Sequence, residues 1–200
     1  MPRIKIDKNT IIIEAAHMAN ETGIEKLSLK TLAARLGVKS PSLYNHVDGL
    51  DDLKWQMMLY GWKEMEDRMI QAVIGVTGYD AVRAMCHAFH KYATENQGVF
   101  SAMLWFNQFE DEQTLETASR MTSIFFKITD SLNISQENCC HLVRMFRGFL
   151  EGFALLENHH AFGNAQPIEE SFHLAVDILI EGMKKLEEKG QHGGAPERES

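Results

Sequence analysis

Apolar residues recur along this chain at spacings of three and four, the period of a helix with one buried face. From about Lys8 to Thr22 the stripe is Ile12, Ala15, Ala16 and Ala19, and Gly23 ends it. After Ser28, a good cap, a second stripe is formed by Leu29, Leu32, Ala33 and Leu36. Gly37 stands where the chain must turn left-handed past a helix end, and Val38 then packs back inward. Ser40-Pro41 reads as the next cap, with proline at the first helical position, and Leu43 and Val47 anchor the short helix that follows. Ser42, Tyr44, Asn45 and His46 are left on or near its free face. A helix this short is unstable alone, so its neighbour must hold it.

Beyond it the pattern predicts longer helices. One runs from Asp51 to about Ile74, with Leu50, Leu53 and Met57 turned toward the preceding helices, and breaks at VTGY. Others span about Tyr79 to Glu95, Glu112 to Leu132, Ser135 (a cap) to Asn158, and Pro167 or Ile168 to Lys189. Gly98 opens a short apolar segment, VFSAMLWF, and GQHGGAPERES reads as a disordered polar tail. No segment reads as a strand. The expected fold class is all-α, with about nine helices: a three-helix domain with a helix-turn-helix over 1–50, a larger helical domain over 51–188, and a tail over 189–200.

Composition narrows the class. Two hundred residues at 44 % hydrophobic suffice for two helical domains. No apolar run reaches the roughly 18 residues of a membrane span, and no signal-peptide core is present, so a cytoplasmic protein with no membrane partner is expected. Cys86, Cys139 and Cys140 form no disulfide framework. The net charge of −8 is unevenly spread. Residues 1–50 hold seven Lys/Arg against five Asp/Glu, a net of +2; the other 150 hold 13 against 23, a net of −10. A weakly basic head on an acidic body fits DNA binding that rests on few phosphate contacts and on pairing of two heads.

Two helices joined by a tight turn fit the major groove as a probe, although the same pattern suits a helical hairpin that merely packs. IIIEAAHMANETGIEKLSLKTLAARLGVKSPSLYNHVDGLDDL resembles the N-terminal domain of the TetR family of transcriptional regulators, most specifically in GVKSPSLYNHV. The remainder is similar to the branch of that family named for a Trp-His-Gly signature, which stands here as Phe146-Arg147-Gly148, followed by FLEGFALLE and ESFHLAVDILIEGM. Phe and Arg replace the signature Trp and His. The resemblance implies a homodimer built as a four-helix bundle from the helices around 135–158 and 168–188. It also implies a small effector enclosed by the middle helices.

The DNA-contact candidates are Lys30 and Thr31 on the supporting helix, Lys39 and Ser40 at the turn, and Ser42, Tyr44, Asn45 and His46 on the probe. Helix starts attract phosphate, and asparagine offers the donor and acceptor pair that matches adenine. Tyr44 matches the family tyrosine that bonds a phosphate. Arg3 and Lys5 suit either a minor-groove arm or a disordered tail. One departure stands out: where many members have a phosphate-holding lysine, this chain reads DGLDD, and Asp48, Asp51 and Asp52 repel DNA.

For a small apolar or amphipathic effector the candidates are Trp62, Met65, Phe89, Tyr92, Met103, Trp105, Phe106 and Arg147. Each apolar one also reads as plain core. Arg147 is either a carboxylate anchor or an i,i+4 partner of Glu151. His87 and His90 could share an ion, but neither they nor Cys139-Cys140-His141 forms a closed metal pattern, so no metal site or cofactor is expected. No phosphate loop or nucleophile elbow is present, so no enzyme is expected. The function expected is a ligand-responsive repressor that binds a palindromic operator as a dimer. The alternative is a helical protein-binding or metal-dependent module without DNA binding.

Overall fold

Helix α1 (Lys8–Thr22) begins where Asp7 accepts the Thr10 N–H at 2.8 Å, and it ends at Gly23. The stripe of small residues read from the sequence is its buried face: Ala15, Ala16 and Ala19 are all within 2 % of full burial. The computed structural model describes residues 6–104 and 111–192, without the side chains of 189–192. Arg3, Lys5, Trp105 and Phe106 lie outside the described residues, as does the tail beyond His192.

The other α-helices are α2 (Leu29–Arg35), α3 (Leu50–Val73), α4 (Gly78–Glu95), α5 (Gln97–Met103), α6 (Glu112–Thr129), α7 (Gln136–Asn158) and α8 (Ile168–His192). Two 3-10 turns cover Ile24–Lys26 and Ser40–Asn45. The chain is all-helical among the described residues. Helix α8 runs three residues past the end expected at Lys189, and α6 stops three short of Leu132. In α6 the Thr129 hydroxyl donates to the Phe125 carbonyl at 3.0 Å, a side-chain bond that competes with continuation of the helix.

Contacts divide the chain into two compact units. The first comprises Met1–Glu66 and Glu95–Ser119. Here α5, too short to be stable by itself, is wedged against α1. Gly98 lies so close to Ala19 that a Cβ there would stand 2.0 Å from the Ala19 carbonyl oxygen. Val99 and Met103, both buried, lie over Gly61 of α3. The contact is oriented by Asn20, whose Oδ1 accepts the Val99 N–H and whose Nδ2 donates to Asn96 Oδ1, both at 3.0 Å. Farther along, the Trp55 indole N–H is shared between Asp111 Oδ2 and Thr114 Oγ1, each at 3.0 Å. Asp111 also caps α6 by accepting the Thr114 N–H at 2.9 Å.

The second unit comprises Asp67–Thr94 and Arg120–Ser200. Its core is aromatic and aliphatic, with Val82, Met85, Phe125, Phe146, Phe172, Val176 and Met183 buried. Its helices are pinned at the rim by polar links. Glu187 accepts the Tyr79 hydroxyl at 2.5 Å and the Asn133 N–H at 3.2 Å; Arg83 pairs with Asp177; and Asn158 Nδ2 donates to the Ala93 carbonyl at 3.1 Å. No helix among the described residues is long and apolar enough to cross a membrane.

Because the atom opposing Gly98 is backbone, no rotamer change relieves a new methyl. Gly98→Ala is expected to cost roughly 1–3 kcal/mol or more in urea unfolding. Gly163→Ala, with open space around its Cβ, is expected to stay within about 0.5 kcal/mol of the parent. Equal midpoints for the two variants would refute the close approach.

Candidate nucleic-acid interface

The probe is built from its caps outward. Ser28 Oγ accepts the Thr31 N–H at 3.2 Å, and Thr31 Oγ1 in return accepts the Ser28 N–H at 3.1 Å. This reciprocal box fixes the start of α2 and is worth about 1 kcal/mol for the cap alone. At the other end Gly37 takes a φ of +68°. Its N–H reaches the Ala34 carbonyl at 3.2 Å, and the Val38 N–H reaches Ala33 at 2.9 Å, the paired closure of a Schellman turn. Leu32, Leu43 and Val47 are almost wholly buried beneath, and full burial of such side chains contributes roughly 1.5–3 kcal/mol each.

The helix expected from Ser40 is instead a 3-10 turn over Ser40–Asn45, and Lys39, not Ser40, is its cap residue. Lys39 is extended (ψ 141°), and no side chain caps the turn. Pro41 supplies no N–H and restricts the residue before it, so an α-helical start at Ser40 is disfavoured. The turn closes through Ser42 N–H to Lys39 and His46 N–H to Leu43 carbonyls, both 2.9 Å. Leu43 alone of the turn is buried, while Ser42, Tyr44 and Asn45 are exposed. Tyr44, at 59 % exposure, is a large aromatic ring held in solvent by a buried neighbour.

The sequence-derived residues separate on this frame. Lys30 and Lys39 are exposed; Ser40 and His46 are partly covered. Thr31 spends its hydroxyl on the α2 cap, accepting from the Ser28 N–H and donating to the Ser28 carbonyl. His46 lies near the cap of α1: the Thr10 N–H, then the Thr10 hydroxyl, hold the Asp7 carboxyl below its usual range against its desolvation, and the His46 charge adds to this. Sequence reasoning did not foresee the role of Arg35. Its guanidinium is committed to Glu14 and forks onto Glu21, with NH2 to Glu21 Oε1 at 2.8 Å. One of the seven basic residues of the head therefore ties α2 to α1 rather than facing solvent alone. At the start of α3, Asp52 accepts the Asp48 N–H at 2.9 Å, so that amide is already used.

The effector candidates fall on both units. In the first, Trp62, Met65 and Met103 are buried; in the second, Phe89 and Tyr92 are buried, with the Arg68 guanidinium 4.9 Å from the Tyr92 ring centre. Arg147 is exposed and its Nε lies 2.7 Å from Glu151 Oε1, so the i,i+4 pairing forms. Among the described residues no three His, Cys, Asp or Glu side chains come together as a metal site. Burial pushes the Cys86 thiol up to about 12, the opposite of what a nucleophile needs.

Comparison with known proteins places this geometry in context. Residues 82–179 match the family described as "Tetracyclin repressor-like, C-terminal domain". The chain is 28 % identical, over 91 % of its length and 95 % of the relative's, to the uncharacterized HTH-type transcriptional regulator YobS of Bacillus subtilis. A protein of unknown function from Rhodococcus sp. RHA1 superposes with a TM-score of 0.76 at 16 % identity, covering 91 % of this chain and 98 % of that one. TetR from Acinetobacter baumannii AYE superposes with a TM-score of 0.67 at 18 % identity, covering 92 % and 99 %. With a helix-turn-helix head and a C-terminal domain that matches this family model, the chain is a DNA-binding transcriptional regulator similar to those of the TetR family.

Proposed function

We propose that this regulator is a cytoplasmic repressor that binds a palindromic operator as a homodimer and leaves it when a small apolar or amphipathic effector binds. The observation that carries the DNA reading is the Ser40–Asn45 turn, fixed by buried Leu43 and Val47 while Ser42, Tyr44 and Asn45 face solvent. Lys30, Lys39 and Tyr44 meet phosphates; Ser42, Asn45 and His46 read base edges, and Ser40 sits at the turn's start beside them. Thr31 serves by holding the α2 cap in shape. Residues 1–50 do the reading and 51–188 do the sensing and pairing.

The dimer reading rests on apolar side chains that α7 and α8 leave in solvent. On α7, Met145, Leu155 and Leu156 are exposed around Gly148 and Gly152, whose Cβ positions meet open space. On α8, Leu174 and Ile178 are exposed at 61 % and 62 %, opposite the buried Phe172, Val176 and Ile180. Helices apolar on both faces need a second partner, and a second copy packing α7 and α8 as a four-helix bundle supplies it. Two heads about 34–36 Å apart then read successive turns of a palindrome. The effector works by favouring a different tilt of α3, which begins five residues after the reading turn. Trp62, Met65 and Met103 on the first unit, and Phe89 and Tyr92 on the second, offer methionine- and aromatic-rich linings for it.

A mobility shift on DNA from upstream of the protein's own gene tests the first reading, and no shift at low salt would sink it. Lys39→Ala is expected to weaken binding uniformly and to flatten the log-affinity against log-salt slope by about 1. Tyr44→Ala is expected to weaken the shift without altering the far-ultraviolet spectrum.

For the dimer, Leu174→Glu with Ile178→Glu is expected to yield monomers in sedimentation and to lose the shift. Persistent dimers would place the interface elsewhere.

A further inference from the structure

The second unit contains a group of imidazoles for which DNA reading has no use. His87 and His90 lie three residues apart on α4, and His173 lies on α8. The rings of His87 and His173 are 4.4 Å apart between centroids and tilted by 45°. Between them and the core stands Phe172, 1 % exposed, stacked on His90 at 4.0 Å and meeting His87 edge-on at 5.4 Å. At this point of the seam between α4 and α8, two imidazoles whose charge depends on pH stand against each other.

The surrounding charges are unevenly shared. Arg83 of α4 is paired with Asp177 of α8. His90 Nε2 stands 2.6 Å from Glu157 Oε2 of α7, and His173 Nε2 stands 3.7 Å from Glu169 Oε1 on its own helix. His87 alone of the three has no carboxylate within 4 Å among the described residues. Burial first, then the positive charges of His173, Arg83 and His90, hold the His87 imidazole below the usual histidine range, with only Glu169 opposing. An imidazole so shifted binds protons less readily folded than unfolded. Its contribution to stability is therefore complete above about pH 6.5 and is lost as pH falls through that value toward the lower folded-state one.

We propose that His87 and His173 form a proton-operated clasp between α4 and α8. While neutral the two rings pack against each other, and when both are protonated they repel and α8 loosens from α4. Since α8 carries half of the dimer face argued above, a consequence that rests on that reading, acid also weakens pairing of the heads. No bound molecule is needed.

Thermal unfolding of the full chain at pH 7.5 and 5.5 tests the clasp, with His87→Phe keeping a ring without a charge and His173→Gln removing the second charge. The parent is expected to lose roughly 2–4 °C more than either variant over that interval, the shift that about 1 kcal/mol produces in a chain of this size. Imidazole titration by NMR is expected to show His87 protonating below the usual histidine range, and moving up in His173→Gln. That second readout holds even if His87→Phe fails to fold, because His173 is exposed. Equal pH losses in parent and His173→Gln, or a His87 titration unmoved by His173→Gln, would overturn the clasp. Sedimentation at the same two pH values separates the readings: a chain monomeric at pH 7.5 refutes the dimer, while the clasp is decided by melting and titration.

Discussion

The backbone-to-backbone approach of α5 on α1 is the constraint on which the first unit depends. It requires three things of the sequence at once: alanines on α1, no side chain at Gly98, and an amide at Asn20 that satisfies Val99 N–H and Asn96. Each is inexpensive alone. Together they let a seven-residue helix, which is marginal in isolation, become part of the core under the reading head. A side chain at Gly98 would force α5 away from the Ala19 backbone, and the packing of Val99 and Met103 over Gly61 would loosen with it.

The reading turn is the opposite case, since its own bonding is weak. A 3-10 turn of six residues with no side-chain cap has little stability of its own. What fixes it lies beneath and before it: the Schellman closure at Gly37, the Ser28–Thr31 box, and the burial of Leu32, Leu43 and Val47. Rigidity is thereby imported from α2, and the exposed side chains remain free for base edges and phosphates. Arg35 joins this scaffold through Glu14 and Glu21, which further thins the positive charge available to DNA.

Much of this was legible in the sequence because caps and stripes are local. Ser28, Gly37 and Ser135 act where their residue types predicted, and Ala15, Ala16 and Ala19 are the buried face read from spacing. The start of the probe was not legible, because a Ser-Pro pair signals both a cap and a restriction on the residue before proline, and the second effect prevailed. Long-range partners were not legible either. Trp55 meets Asp111 across 56 positions, and His87 meets His173 across 86, and no periodicity encodes such pairs. Arg35 shows the same limit: in the sequence it counts only as one basic residue of the head, and nothing local places two glutamates of α1 beside it.

In the proposed dimer, the distribution of charge makes pairing of heads matter more than the strength of any one head. The first 50 residues carry a net +2 before Arg35 is discounted, and α3 opens with Asp51 and Asp52. Those carboxylates favour the helix dipole and, through Asp52, occupy the Asp48 amide, so they stabilise the start of α3. Few counterions are released by such a head, so its affinity for arbitrary DNA is low and its salt dependence shallow. In the proposed dimer, joining two heads makes the second contact intramolecular, multiplying affinity only where both half-sites stand at the right separation. A weak head is therefore suited to control by geometry. Where single heads bind tightly, a small change of spacing releases little; where they bind weakly, the same change removes most of the affinity.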